Sequence, residues 1–454
     1  MKRIILLLSL LLVGSVVFAD DVKVNTSRVI GPVKPMNGLN NGPLGSQFYN
    51  SDRGGAVKAV HIPYARTHDT SEWTGYGGEH TIDISAIFPD FSKNVNDPSA
   101  YVFKETDRFI KNNLAVGTDI FYRLGQRIEW SVKKYNVNPP KDFKKWAQIC
   151  EHIIRHYNEG WAEGFHYNIR YWEIWNEPDI GEPMWTGTEE EFFELYKTAS
   201  LHLKKCFPDL MIGGPAVANA TIPFTEHFLD FAAKNRLPLD FFSWHIYTTS
   251  PEDIVERCRL VRKMLDERGF KDTESILNEW NYMKERYAHL SYRRMGSEIG
   301  ASFVMAAMQL MQDESCDMMM YYCANPGASY NGLVDRERWE PTKTYYAFQA
   351  WDKLSHYGTQ VEAETVITSG VEDTYATAVK GEGNKVAVLV TRYSDDSDSG
   401  FVKGMKIILD GQYTEVTGHL TDDSHIYTEI PLEIKDNYVE IVLRPNAFLI
   451  VELR

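Results

Sequence analysis

The chain has 454 residues, which is more than one ordinary hydrophobic core uses and predicts a large domain with a smaller one. Its formal net charge is -15, from 48 Lys and Arg against 63 Asp and Glu, and no basic block is long enough to follow a phosphate backbone. These values exclude nucleic acid as an expected partner. The five cysteines are widely scattered, so neither a disulfide framework nor a cysteine metal site is predicted.

The first segment has the parts of a secretory signal peptide. A basic pair, Lys2-Arg3, precedes an apolar run over residues 4–18, and the expected cleavage site lies directly before Asp20. The run is too short to span a bilayer, and no later segment offers about 20 uninterrupted apolar residues. Residues 1–19 are therefore predicted to direct export to the periplasm or the extracellular space, without stable membrane insertion.

Short apolar runs then alternate with stretches of helical periodicity, which predicts parallel strands joined by crossover helices. Eight such runs occupy residues 34–357, a length typical of a (β/α)₈ TIM barrel. A doubly wound sheet is the alternative. The predicted strands are Lys34–Leu39, Ala59–Thr67, Asp119–Leu124, Arg170–Asn176, Leu210–Pro215, Leu239–Tyr247, Ser275–Trp280 and Cys316–Tyr322. The predicted helices include Asp142–Tyr157, Thr188–Lys205, Pro251–Arg268 and Gly296–Asp313.

From about Gly358 the pattern changes to short alternating strands separated by turn residues, such as those at 381–384. This pattern predicts an accessory C-terminal β-sandwich over residues 358–454. The segment 20–33 precedes the barrel, and its run Val22–Ile30 is expected to add a strand to that sandwich, because chain termini often lie close together.

Two glutamates stand where predicted barrel strands end. Glu177 follows the fourth strand in the stretch Trp175-Asn176-Glu177-Pro178, and the proline stops the strand. Glu279 ends the seventh strand. The carboxyl ends of barrel strands form the active-site face, so both carboxyl groups are expected to face one cavity. Such a pair supplies what acetal cleavage needs: one group protonates the leaving oxygen, and the other attacks the anomeric carbon or activates water.

On these residues the chain resembles glycoside hydrolase family 39, the family of β-xylosidases and α-L-iduronidase. The resemblance covers nearly all of the mature chain and is firmest at residues 175–178 and 277–279, with support from Arg66-Thr67-His68 and His245-Ile246-Tyr247. It implies a retaining enzyme without a cofactor or metal. Its two carboxyl groups should lie about 5 to 5.5 Å apart.

The resemblance also implies roles for individual residues. Glu279 is the expected nucleophile, and Glu177 the expected general acid/base. Arg66 is expected to hold Glu279 ionised, because a nearby opposite charge favours the charged form. Asn176 is expected to hydrogen-bond the sugar 2-hydroxyl.

Four further residues are candidates for substrate binding. His68, His245 and Tyr247 stand at strand ends and are expected to contact sugar hydroxyls or orient the glutamates. Trp280 is expected to form a wall of the subsite. The loop 325–332 should border the same cavity. His152 and His156 share a helix face at a zinc-compatible spacing, but a ligand role is not predicted, because no zincin glutamate lies between them.

The expected substrate is an oligosaccharide or glycoside with a terminal β-linked sugar, xylose first, released by exo-hydrolysis. A β-glucosidase or β-galactosidase is the alternative within the family, and a non-catalytic carbohydrate-binding barrel is the alternative outside it. Uronate recognition in the family is associated with a lysine shortly after the strand-six histidine, which this chain lacks. Iduronidase activity is therefore disfavoured, unless Arg336 or Arg338 replaces that lysine.

Overall fold

The computed structural model describes residues 17–42, 60–69, 81–285, 289–324, 329–335, 340–396 and 401–454. Within these ranges the chain forms a closed barrel of eight parallel strands and a ten-stranded sheet. The predicted fold class, a (β/α)₈ barrel with an accessory β domain, is confirmed. The doubly wound alternative is excluded, because the first and last strands of the cycle pair with each other.

The barrel strands occur at the eight predicted places. The first begins four residues later than predicted, because residues 34–37 lead into the barrel before pairing starts. One long strand, β1 (Val17–Pro32), precedes the barrel. The barrel consists of β2 (Gly38–Asn40), β3 (Tyr64–Arg66), β4 (Asp119–Leu124), β5 (Tyr171–Ile174), β6 (Met211–Val217), β7 (Phe241–Thr248), β8 (Glu274–Tyr282) and β9 (Met318–Tyr321).

The amino-terminal half of the barrel interior is filled by large apolar side chains. Phe121, Tyr171, Phe241, Ile276, Met318 and Met320 form this cluster, and all are buried. They come from the first three residues of their strands, so they close the floor of the barrel. The polar side chains of the barrel interior consequently lie at the carboxyl ends of the strands, where the cavity is.

The helices between the strands begin and end where the sequence supplies capping groups. Thr188 and Glu191 form a capping box at the start of helix Glu189–Cys206. Asp142 accepts hydrogen bonds from two backbone N–H groups at the start of Phe143–Glu159, and Gly160, at φ 76°, ends that helix. The other helices are Ile84–Ile87, Lys104–Leu114, Pro223–Asn235, Pro251–Glu267, His289–Met295, Glu298–Gln312 and Lys343–Tyr357, with 3₁₀ turns at Pro98–Ala100 and Pro178–Ile180.

The accessory domain is one continuous hydrogen-bonded sheet with its own hydrophobic core. The strands after the barrel are β10 (Thr359–Ile367), β11 (Thr374–Lys380), β12 (Val386–Arg392), β13 (Lys403–Ile408), β14 (Val416–Thr421), β15 (Thr428–Ile430), β16 (Ile434–Lys435), β17 (Tyr438–Leu443) and β18 (Ala447–Leu453). The strand order is β15-β14-β18-β12-β11-β10-β1-β13-β17-β16. In this sheet β1 lies between β10 and β13, antiparallel to the first and parallel to the second.

The helix Glu298–Gln312 joins the barrel to this sheet. Thirteen of its residues are buried, because one side covers the barrel and the other contacts the accessory strands. Gln309 donates a hydrogen bond from Nε2 to the carbonyl of Leu389 in β12 at 3.0 Å. None of the helices in the described ranges has the length and apolarity to cross a membrane.

The predicted signal peptide falls mostly outside the described residues. Of residues 1–19, only 17–19 are described, and they belong to β1.

All five cysteines are free thiols.

Candidate active site

The backbone around Glu177 turns sharply at the end of β5. Trp175 and Glu177 have positive φ angles of 75° and 47°, and Pro178 then starts a 3₁₀ turn. The Glu177 N–H donates to the carbonyl of Ala216 in β6 at 2.8 Å. The proline that stops the strand in the sequence thus directs Glu177 to the rim of the barrel.

A β-bulge in β8 sets the direction of Glu279. Trp244 pairs with Leu277 and His245 pairs with Glu279, so Asn278 is the extra residue. Bulges re-aim side chains near active sites. Here Glu279 lines the cavity, while Asn278 donates a short hydrogen bond to Glu173 inside the barrel.

The two predicted catalytic carboxyl groups converge. An oxygen of Glu177, an oxygen of Glu279 and a ring nitrogen of His245 all lie within 4.8 Å of one another. His245 Nδ1 is 2.9 Å from Glu177 Oε1, and its Nε2 is 3.8 Å from Glu279 Oε2. This spacing is closer to the separation of about 5–5.5 Å in retaining glycosidases than to the wider separation of inverting ones, which accommodates a water molecule.

Arg66 organises the polar side chains beneath the two carboxyl groups. It is fully buried, and its Nε lies 2.8 Å from Glu173 Oε2. Its Nη2 donates to Asn176 Oδ1 at 2.6 Å, and its Nη1 donates to Asn40 at 3.1 Å and to Glu279 at 3.2 Å. A buried guanidinium is tolerated because each of its nitrogens has such a partner. The predicted neighbours Arg66, Asn176 and Glu279 are therefore one connected group.

Arg66 acts on the pKa of Glu279 in the predicted direction, but burial has the largest effect. Burial raises the pKa of Glu279 to about 7, and the charge of Glu177 acts in the same direction, while Arg66 lowers it without offsetting these effects. The reason is that Arg66 lies closer to Glu173, whose carboxylate shares the guanidinium charge. Arg66 thus favours the ionised form of Glu279, as predicted, but burial outweighs its effect on the pKa.

His245 and Tyr247 both touch the catalytic pair, as predicted from their place at the end of β7. Burial lowers the pKa of His245 to about 4, so the imidazole is neutral beside Glu177. Tyr247 donates from Oη to Glu279 Oε1 at 2.6 Å. Its ring lies against Tyr330 from the loop after β9, with ring centroids 5.4 Å apart. These two side chains fix the orientation of the two glutamates.

His68 and Asn176 are also close to the pair. His68 lines the cavity and accepts a hydrogen bond at Nδ1 from Arg123 Nε at 3.2 Å. Asn176 is buried, and its Oδ1 is occupied by Arg66. Its Nδ2 makes no hydrogen bond to any residue that the structure describes. The predicted hydrogen bond from Asn176 to a sugar hydroxyl stays a prediction.

Trp280 is not a wall of the subsite. It is fully buried, and its ring packs against Tyr321 and Phe303, with centroids 5.5 and 6.2 Å away. Successive strand residues point to opposite sides, so the residue after Glu279 points away from the cavity toward the surrounding helices. Its predicted contact with substrate is replaced by a packing role.

The pair opens into a cavity of about 550 Å³. Several of its lining residues were not predicted as site residues. Trp130 is 59% exposed at the rim, and Asp69 accepts a hydrogen bond from Tyr322 at 2.7 Å. The predicted border loop contributes Ser329 and Tyr330, while residues 325–328 and 336–339, with Arg336 and Arg338, lie outside the described ranges. The remaining unpredicted lining residues include Ile128, Ile180, Ala218, Asn219, Arg257, Met283, Lys284 and Cys323.

Two groups of ligating atoms within the described ranges are close enough to hold a metal ion. One is the catalytic pair with His245, and the other is Glu151 with His202 and Cys206. In the second group, Arg155 already donates to Glu151 at 2.8 Å and supplies a cation there. His152 and His156 belong to neither group.

Comparisons with known proteins agree with this site. Residues 83–283 match the family described as Glycosyl hydrolases family 39. A beta-xylosidase of Caldicellulosiruptor saccharolyticus is 28% identical over 378 residues, covering 75% of this chain and 72% of the relative. A beta-xylosidase of Geobacillus stearothermophilus is 28% identical over 209 residues, covering 40% of this chain and 41% of the relative.

Solved structures show the same fold. A glucosidase from Croceicoccus marinus superposes with a TM-score of 0.78 at 23% identity, over 96% of this chain and 99% of that one. A monomeric beta-xylosidase from Caulobacter crescentus CB15 superposes with a TM-score of 0.69 at 16% identity, over 95% and 99%. The match of residues 83–283, the beta-xylosidase relatives and the converging glutamates identify the chain as a glycoside hydrolase that is similar to glycosyl hydrolases family 39.

Proposed function

We propose that the chain is a retaining exo-β-xylosidase, with Glu279 as nucleophile and Glu177 as general acid/base. The observation that carries this proposal is the convergence of Glu177, His245 and Glu279 at the carboxyl end of the barrel, where one polar atom of each lies within 4.8 Å of the other two. The choice of xylose is supported by the two beta-xylosidase relatives. A non-catalytic binding barrel is not favoured, because both carboxyl groups are present and aligned.

The reaction follows from the positions of the two acids. In the first step the Glu279 carboxylate attacks the anomeric carbon, the glycosidic C–O bond breaks, and the Glu177 proton passes to the leaving oxygen. In the second step Glu177 takes a proton from water, the water oxygen attacks the same carbon, and the bond to Glu279 breaks. Two inversions give net retention.

The protonation of the two catalytic carboxyl groups suits this cycle. The charge of Glu177 raises the pKa of Glu279, so the two catalytic carboxyl groups favour holding one proton between them. Double displacement starts from that state, with one group protonated and the other ionised. His245 is the positioning residue for Glu177, and Tyr247 positions Glu279.

The test is a panel of aryl glycosides of xylose, glucose, galactose, arabinose and iduronate, assayed with wild type, Glu177→Ala and Glu279→Ala. We expect xylose to be preferred, and each variant to lose at least about 10³-fold in kcat with substrates that need protonation. Added azide separates the two roles. Glu177→Ala should yield the β-glycosyl azide, because azide attacks the enzyme-bound intermediate, and Glu279→Ala should yield the α-azide by direct displacement.

The opposite assignment of azide products would exchange the roles of the two glutamates. Preference for another sugar would replace xylose without changing the mechanism. A wild type that binds xylosides but cleaves none of the panel would contradict the enzyme proposal.

Export belongs to the proposal as well, with the basic pair and apolar run of residues 2–18 as its support. Cleavage before Asp20 would keep the part of β1 that is anchored in the sheet. Asp20 is buried, accepts hydrogen bonds from the N–H groups of Thr368 and Ser369, and lies 2.6 Å from Lys403 Nζ. Fractionation followed by N-terminal sequencing tests this: an exported product that starts near Asp20 agrees, and a cytoplasmic product that starts at Met1 contradicts it.

A further inference from the structure

Arg257 is a cation of the cavity that the proposed chemistry does not use. It lies in the helix Pro251–Glu267, is partly buried, and lines the same cavity as Glu177 and Glu279. Its Nη1 donates to Asn219 Oδ1 at 3.0 Å. Burial lowers the pKa of Arg257, and the carboxylate of Asp253 only partly opposes this effect. Within the described residues, the guanidinium forms no ion pair.

The other cation of the cavity differs in this respect. Lys284 Nζ lies 2.7 Å from Asp395 Oδ2, so its charge is compensated by a carboxylate of the accessory domain. The carboxylate of Asp253, whose charge acts on the pKa of Arg257, already accepts a hydrogen bond from Thr248 Oγ1 at 2.6 Å. Among the cavity residues that the structure describes, Arg257 is therefore the one cation that is not paired with a protein carboxylate.

Hydrogen bonds place Arg257 on the Glu177 side of the cavity. Its partner Asn219 donates its own N–H to Asp179 at 2.9 Å, and Asp179 stands two residues after Glu177. Asp179 also holds the N–H of Ala218 at 2.9 Å. The general acid must lie beside the leaving oxygen. Arg257 is connected through hydrogen bonds to the segment directly after this acid, so it faces the part of the substrate that leaves.

We propose that Arg257 binds a carboxylate on the aglycone, so that the preferred substrates carry a uronic acid or an equivalent acidic residue on the leaving side of the scissile bond. The inference rests on the proposed function and adds a substrate class to it. A guanidinium matches a carboxylate because two parallel N–H groups meet its two oxygens. Most of the Arg257 donors remain for this purpose after the bond to Asn219.

The experiment compares two xylosides that differ mainly in aglycone charge, 4-carboxyphenyl and 4-carboxamidophenyl β-D-xylopyranoside. The ratio of their kcat/KM values is measured for wild type, Arg257→Gln and Arg259→Gln. Arg259 is the matched control, because it lies on the same helix but pairs with Glu314 outside the cavity. Comparing ratios between proteins cancels the different intrinsic reactivity of the two leaving groups.

We expect the acid-to-amide ratio to fall about tenfold in Arg257→Gln, and to stay at the wild-type value in Arg259→Gln. The wild type alone gives a second readout: added salt should lower kcat/KM for the acid and leave the amide unaffected. An equal ratio in all three proteins, or a wild-type ratio insensitive to salt, would overturn the inference.

A 4-sulfophenyl xyloside distinguishes carboxylate from sulfate recognition. A sulfonate that exceeds the carboxylate in its dependence on Arg257 would overturn the uronic acid assignment. Turnover of the amide tests the proposed function separately. If neither xyloside is cleaved, the β-xylosidase proposal fails together with the inference built on it, whereas cleavage without an acid preference refutes Arg257 recognition alone.

Discussion

Replacing Tyr247 by Phe removes the shorter of the two hydrogen bonds that Glu279 accepts from its neighbours. Tyr247 Oη is 2.6 Å from one carboxylate oxygen, and Arg66 Nη1 is 3.2 Å from the other. A hydrogen bond to a charged group is worth about 1.5–3 kcal/mol, and about 1.4 kcal/mol corresponds to one pH unit. Burial already raises the pKa of Glu279 to about 7. Losing the Tyr247 bond destabilises the carboxylate and should raise this pKa by about 1 to 2 pH units more.

The assay is the pH dependence of kcat/KM, which reports the free enzyme. Glu279 attacks only as a carboxylate, so activity is lost as the pH falls through its pKa. The wild type should have its acidic limb near pH 7, and Tyr247→Phe should have it about 1 to 2 pH units higher. An aryl xyloside with an activated leaving group is the right substrate, because it depends little on protonation by Glu177.

A matched control exists at the opposite end of the barrel. Tyr171→Phe also removes a tyrosine-to-glutamate hydrogen bond, from Tyr171 Oη to Glu274 Oε2 at 2.9 Å, but far from the catalytic pair. It should leave the acidic limb in place. An acidic limb in Tyr247→Phe that stays at the wild-type pH, or moves to lower pH, would refute the electrostatic account of the site.

Three further predictions concern stability and binding. The raised pKa of Glu279 means that the folded protein takes up a proton there, so its contribution to stability is full below about pH 4.5 and is lost as the pH rises through about 7. Glu279→Gln should therefore be more stable than wild type at about pH 8, by up to about 3 kcal/mol, and nearly equal below about pH 4.5; a lower melting temperature at the higher pH would contradict this. Trp130→Ala should raise KM for xylo-oligosaccharides about tenfold with little change in kcat, because the exposed ring offers a stacking face at the cavity rim, and an unchanged KM would exclude that contact. Asp395→Asn should lower the free energy of unfolding by about 1–2 kcal/mol near neutral pH in chemical denaturation, because its carboxylate accepts from Tyr282, Lys284 and Arg294. Although burial opposes it, the hydrogen bond from Lys284 lowers the pKa of Asp395, so this difference should vanish in acid as the pH falls through that pKa, and persistence of the full difference there would argue for a packing effect.

The catalytic glutamates were predictable because two independent regularities coincide at them. Each ends an apolar run of strand length, and the carboxyl ends of parallel barrel strands meet on one face. The helices were equally predictable where the cap is local, as at Thr188, since the capping box involves residues three apart.

Trp280 was assigned a wrong role and Glu173 was not predicted as a site residue, but the sequence held a usable signal for both. Trp280 follows Glu279 directly in a strand, so alternation alone sends it to the other side of the sheet. Glu173 lies in the middle of an apolar strand, where a buried carboxylate requires a cationic partner. Arg66, in the predicted second strand, was the available candidate, and the ion pair between them follows from these two facts.

Arg257 had no such signal, because its place depends on how one helix packs against the barrel rim. The helical pattern of residues 251–267 predicts which side of the helix is buried, but it does not show which cavity the rest of the helix borders. The same holds for Lys284 and Asp395, which come from different domains and meet only in the folded chain.

The accessory sheet reaches the catalytic face at several points, which explains why barrel and sheet form one enzyme. Tyr393 donates to the carbonyl of Thr249 at 2.5 Å, and Tyr375 donates to Glu252 at 2.6 Å, both beside the start of the helix that carries Arg257. Asp395 holds Lys284, just beyond the strand that carries Glu279. These hydrogen bonds and this ion pair connect segments at the catalytic face of the barrel to the accessory sheet. The sheet therefore supports the two cationic side chains of the cavity, and removing it should disturb substrate recognition before it disturbs the glutamate pair, which is held by Arg66 and β7 within the barrel.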